Sequence, residues 1–127
     1  MIKFIRKLSS DSGRRALAEF ARLGTLHIDF KSEKDLVTDA DRKIEDFIIR
    51  EIRRKFPSHD IFGEETGMTK KGSEYRWVID PIDGTASFVH GQPFFSVSIA
   101  LQKNGRTIAG AVNAPKLGEI FYAEKGK

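Results

Sequence analysis

Near Pro57 the apolar pattern of this chain changes from the helical period of about 3.6 to the strand period of 2, and few folds accommodate that order. Upstream, Ile44, Phe47, Ile48, Ile52 and Phe56 recur on one face with charges between them, which predicts an amphipathic helix stopped by Pro57. Thr38, Asp39 and Asp41 are its expected cap and first-turn acids. A shorter helix is predicted over residues 14–23, where Ala16, Leu17, Phe20, Ala21 and Leu23 are apolar and Gly24 is the stop. Residues 32–35 read as a polar break between the two.

Downstream, residues 76–79 form a short buried-strand pattern ending at Asp80-Pro81. Phe95, Val97, Ile99 and Leu101 then alternate with Ser96, Ser98, Ala100 and Gln102, a strand with one bulky and one small face. The small face predicts a helix packed closely over it. Asn104-Gly105 is a type I′ hairpin signal leading into residues 107–112, and Pro115 to Gly118 turns the chain into 119–123. Two helices followed by an antiparallel meander define an α+β fold, expected as one domain or part of one over 127 residues.

The chain has no cysteine, which excludes disulfides, thiol nucleophiles, zinc fingers and iron–sulfur ligation by its own residues. A metal site here must use oxygen or imidazole. The longest apolar run, Ile108 to Val112, is too short to span a bilayer, and Lys3, Arg6 and Lys7 break up the apolar residues of the first turns. The expectation is a soluble, cytoplasmic protein with no membrane partner. Net charge is +4 and the basic excess lies wholly before Pro57. Arg53-Arg54-Lys55 ends a helical pattern, where cations complement the helix dipole, and no aromatic RNA-binding motif accompanies it. Nucleic acid is therefore disfavoured as a partner.

Between Asp60 and Asp83 the sign reverses, with Asp60, Glu64, Glu65, Glu74, Asp80 and Asp83 against three cations. In Trp77-Val78-Ile79-Asp80-Pro81-Ile82-Asp83-Gly84-Thr85 an apolar strand delivers Asp80 to its C-terminal end, and a tight turn can aim Asp83 at the same point. Gly84 permits close backbone approach to a ligand, and Thr85 adds a hydroxyl beside exposed N–H groups that suit phosphate. Carboxylates without softer donors select Mg²⁺ or Mn²⁺. Taken singly, an Asp-Gly turn, a Glu-Glu loop at Glu64-Glu65 and a capping run at Asp39 and Asp41 each have an ordinary structural explanation.

Together, D-L-V-T-D-A-D, P-S-H-D-I-F-G-E-E, W-V-I-D-P-I-D-G-T and F-V-H-G resemble the inositol monophosphatase family, in the superfamily of lithium-sensitive, magnesium-dependent phosphatases. The resemblance covers residues 30–127 closely and the first helix loosely. It implies the first half of a layered α/β/α/β/α sugar-phosphatase fold. It further implies two or three Mg²⁺ ions, with Mn²⁺ as a substitute. Glu64, Asp80 and the carbonyl of Ile82 would hold the first ion, Asp80 and Asp83 a second, and Glu65 would stand behind them. Gly84 and Thr85, with Asp83, would bind the substrate, while Thr85 and Asp41 would orient and deprotonate the attacking water. The implied substrate is a small phosphate monoester, inositol monophosphate first. Histidinol phosphate, adenosine bisphosphate and fructose bisphosphate are the alternatives, and a homodimer is the implied assembly.

Two features depart from the family pattern. Ser87 stands where the family usually has Asn two residues after the D-G-T threonine, and no W-D-x-A-A-G-like segment occurs, because the only tryptophan, Trp77, is followed by Val78. Residues 1–127 are accordingly expected to be the N-terminal part of the domain, with an uncovered apolar sheet face. An inactive fragment retaining Glu64, Asp80 and Asp83 is the second reading, and a basic nucleic-acid-binding module a distant third. His27, His59 and His90 lack ligand spacing and read as structural, with His90 alternatively at the rim of the site. Trp77, Phe94 and Phe95 are expected in the core.

Overall fold

The computed structural model describes residues 1–24 and 30–126, with side chains described for 1–23 and 39–126. Helices α1 (Ile2–Gly24) and α2 (Phe30–Lys55) precede strands β1 (Asp60–Gly63), β2 (Gly67–Thr69) and β3 (Tyr75–Asp83). A short helix α3 (Thr85–Val89) leads to β4 (Ser96–Lys103), β5 (Arg106–Ala114), a 3₁₀ turn at Pro115–Leu117 and β6 (Glu119–Glu124). Among the described residues no helix is long and apolar enough to cross a membrane. His27 lies outside the described residues.

Both long helices exceed their sequence expectations. α1 begins at Ile2 rather than near residue 14, because its buried face carries Ser9, Ser12 and Gly13 where the apolar count looks for bulk. Those small residues let β5 approach closely. The Asn113 amide donates to the Ser9 carbonyl at 2.9 Å, and a Cβ on Gly13 would fall 2.1 Å from Asn113 Nδ2. α2 begins at Phe30, so residues 32–35 are helical and Thr38, Asp39 and Asp41 sit inside the helix rather than at its cap. The helix ends at Lys55, two residues before Pro57.

The sheet has the order β2-β1-β3-β4-β5-β6. From β3 to β6 it is the expected antiparallel meander, and Asn104-Gly105, both at positive φ, close the β4–β5 hairpin. β1 and β2 are an addition, since strands of four and three residues are too short to display a period. β1 pairs with β3 in parallel, Ile61 opposite Trp77 and Gly63 opposite Ile79. This brings the chain leaving β1 beside the end of β3. Pro81 does not stop β3. The register slips between Asp80 and Asp83, so Pro81 and Ile82 together face Val97, a bulge that absorbs the missing proline N–H.

The helices cover the bulky face of the sheet, burying Val97, Ile99, Leu101, Trp77 and Ile79 against Ile5, Leu8, Ile44, Ile48 and Ile52. Each fully buried isoleucine contributes about 1.5–3 kcal/mol. The small face is therefore not the helix-packed one. It is open, a shallow concavity of about 700 Å³ lined by Val78, Ser98, Ala100, Gly110, Val112 and Phe121. Trp77 and Phe95 are buried as expected, but Phe94 is 66% exposed and belongs to the loop after α3. His59 is structural: its ring stacks between Phe56 and Tyr75, each at 4.8 Å, and its Nδ1 accepts from Trp77 Nε1 at 3.0 Å.

Candidate metal centre

The parallel β1–β3 pair sets the site. Glu64 and Glu65 leave the end of β1, Asp80 stands in β3 beside them, and α2 carries Asp41 and Glu45 across the same corner. Asp41 and Glu45 are four residues apart, hence on one face of α2. Four of the sequence-predicted residues, Asp41, Glu64, Glu65 and Asp80, are thus brought within electrostatic reach of one another.

Repulsion and burial dominate this corner. Burial, then the charges of Glu65, Glu64, Asp80 and Glu45, push the Asp41 carboxyl up to about 7. The Glu64 carboxyl is likewise raised, first by its hydrogen bond with Asp80, then by burial and by the charges of Asp80, Glu65 and Glu45. Asp41 Oδ1 and Asp80 Oδ1 are buried without a hydrogen-bond partner. Buried carboxylate oxygens left bare while their neighbours repel them are costly unless a cation or a proton compensates. The donor set is all oxygen, which fits a hard divalent ion. Among the described residues, no three Asp, Glu or His side chains are drawn together tightly enough to form a closed ligand set.

The β3 bulge builds the second part of the site. It turns the chain so that the Ile82 carbonyl lies 3.4 Å from the Thr85 hydroxyl, which donates to it. Asp83 is exposed at the last rung of β3, opposite Ser96. Gly84 has φ +89°, and a Cβ there would fall 2.6 Å from the Phe94 carbonyl, so only glycine fits the turn between bulge and helix. The first intrahelical bond of α3 is donated by Phe88 to Gly84, which leaves the amides of Thr85, Ala86 and Ser87 ahead of the helix ladder. The Ser87 hydroxyl is engaged locally, accepting from the Phe94 amide at 3.0 Å.

Glu45 is the residue that sequence reasoning missed. It is fully buried and accepts from the Glu65 and Thr66 amides at 2.8–3.2 Å. Its signal was present: a glutamate flanked by Ile44 and Ile48 interrupts the apolar stripe of α2 one turn after Asp41.

The fold and this corner together define an α+β fold in which mutually repelling carboxylates gather where β1 ends beside β3. The chain belongs to the inositol monophosphatase family, whose model matches residues 1–127, and that family is a group of phosphatases. It is 42% identical over 120 residues to a histidinol-phosphatase of Chlorobaculum parvum, covering 94% of this chain and 46% of that protein. It is 38% identical over 116 residues to an inositol-1-monophosphatase of Mesorhizobium japonicum, covering 91% and 44%. Inositol monophosphatase II of Staphylococcus aureus superposes with a TM-score of 0.83 at 31% identity, over 98% of this chain and 46% of that one. The chain thus spans about half the length of the relatives it matches.

Proposed function

We propose that this chain carries the metal- and phosphate-handling part of a Mg²⁺-dependent phosphomonoesterase site whose substrate is inositol monophosphate. The pair of buried, unpartnered oxygens on Asp41 and Asp80, within a set of mutually repelling carboxylates, carries this reading. Glu64, Asp80 and the Ile82 carbonyl would hold one Mg²⁺, with Asp80 and Asp83 holding a second; Mn²⁺ suits the same donors. Bound there, the ions supply Lewis-acid stabilisation of charge on the attacked phosphate.

The remaining work falls to the chain itself. The backbone N–H groups of Gly84 and Thr85 face the substrate phosphate at the start of α3, where donors precede the helix ladder. The Thr85 hydroxyl orients the attacking water, and Asp41, a better base for being buried, takes its proton with Thr85. Glu65 stands behind the ligands. In this reading residues 1–127 are the N-terminal part of the domain, and the last ligand of the second ion comes from its other half.

Titration with Mn²⁺, followed by the loss of the free-ion electron paramagnetic signal, tests the site. The parent chain is expected to bind, and Asp80→Asn to weaken binding at least tenfold. Equal binding by both, or none by the parent, overturns the assignment.

Histidinol phosphate is the second reading. It is supported by the identity to the Chlorobaculum parvum enzyme and by Ser87 where the family usually has Asn. Phosphate release measured side by side from the two esters, with the domain complete, separates them.

A further inference from the structure

We propose that Glu45 is a positioning residue that aims the Glu64-Glu65 turn at Asp41 and Asp80, an inference that rests on the phosphatase reading above. Three observations carry it. Glu45 is fully buried on α2, yet among the described residues it pairs with no cation: its oxygens accept from the Glu65 amide at 3.1 and 3.2 Å and from the Thr66 amide at 2.8 Å. It reaches those amides because Gly63, the last residue of β1, has no side chain; a Cβ there would lie 2.7 Å from Glu45 Cδ and Oε1 and 2.8 Å from Thr66 Oγ1. Its charge also opposes those of Asp41 and Glu64, so it is an unfavourable neighbour electrostatically. A buried acid kept against that repulsion, with its oxygens spent on the two amides that follow Glu64, is placed to fix the course of the backbone there.

The physical consequence is specific. Glu64 and Glu65 sit on a turn between short strands, β1 and β2, where the sheet alone restrains the chain weakly. Tying the amides of Glu65 and Thr66 to α2 makes the same helix that holds Asp41 also hold the turn. The spacing between the Asp41 and Glu64 carboxylates is then set by one rigid element rather than by two. Outer partners of this kind commonly tune metal affinity 10–100-fold.

The test uses the whole 127-residue chain and Mn²⁺. Glu45→Gln places an NH₂ group against two N–H donors. Glu45→Asp keeps the charge but withdraws it by one methylene, and Gly63→Ala keeps every carboxylate while displacing Glu45. Backbone amide exchange at Glu65 and Thr66 and the Mn²⁺ dissociation constant are both read. The parent is expected to show slow exchange at these two amides. All three variants are expected to speed it and to raise the Mn²⁺ dissociation constant 10–100-fold. Normal affinity in Glu45→Asp and Gly63→Ala, with loss in Glu45→Gln alone, overturns positioning in favour of a simple charge effect. Normal affinity in all three overturns the proposal outright. If the parent binds no Mn²⁺, the phosphatase reading fails and this inference falls with it. Gly63→Ala guards against a Glu45 variant that does not fold.

Discussion

The two ends of β1 carry carboxylates in opposite circumstances. At its start, Asp60 accepts from the Lys71 amide at 2.6 Å and the Ser73 amide at 3.2 Å, bonds that hold its carboxyl below the usual range. Just past its end, Glu64 meets Asp80 and Asp41, whose carboxyl oxygens are partly bare and whose charges repel. Asp60 is buried and Glu64 exposed, yet it is what faces the oxygens that sets the direction of each shift. Backbone N–H groups make an acid part of the fold, whereas other acids make it a liability that only a ligand or a proton removes.

Experiments can sharpen or break that contrast. The largest expected effect is on Asp80→Asn, which should abolish metal-dependent phosphate release, measured with the domain complete, while leaving thermal stability of the metal-free chain unchanged or higher. Asp60→Ala should do the reverse. Stripping the Lys71 and Ser73 amides of their acceptor should lower the thermal midpoint by several degrees without altering Mn²⁺ affinity. A smaller effect is expected for Asp41→Asn in metal-free buffer at pH 8, where removing a repelled charge should stabilise the chain by about 1–2 kcal/mol after solvent screening. Denaturant unfolding with and without Mg²⁺ would reveal it, and a destabilised variant would break the comparison.

The smallest effects concern pH. Because the Asp60 carboxyl is depressed in the folded chain, its contribution is present above the unfolded value near 4 and is lost as pH falls through the folded value. Asp60→Asn should therefore flatten the acid limb below about pH 4. Burial lowers the His59 ring from its ordinary value, so the folded chain favours the neutral form. Its contribution is full above about pH 6.5 and declines as pH falls below it, and His59→Gln should remove that slope.

Much of the sheet was legible because residues 95–102 alternate cleanly and Asn104-Gly105 signals a tight hairpin into the next strand. The acidic corner was legible in part: Glu64-Glu65 stands out as paired charge and Asp80 follows an apolar strand pattern, and the structure brings these with Asp41 within electrostatic reach. What escaped reading depended on partners distant in sequence. The first half of α1 is hidden by Ser9, Ser12 and Gly13, whose smallness makes sense only once Asn113 is opposite them. β1 and β2 acquire strand character from pairing rather than from pattern. Glu45 looked like one more charge on an amphipathic helix, since nothing local shows that two amides 20 and 21 residues later take its oxygens. The side of the sheet that the helices cover was also misjudged: the small face seemed made for close packing, but bulky residues bury more apolar area.

The bulge at Pro81 and Ile82 has a consequence for how this corner tolerates change. A single base change can delete the carboxylate of Glu64 or Asp80, but none can delete the main-chain oxygen of residue 82. As the donor proposed above, that oxygen would be encoded in the path of the chain: in Pro81, in the slipped rung opposite Val97, and in the glycine that lets the turn close. Variation at position 82 itself should be benign among apolar side chains of similar size. Its vulnerability is displaced onto neighbours that touch no ion, so damaging substitutions here will include ones that leave every acidic group in place.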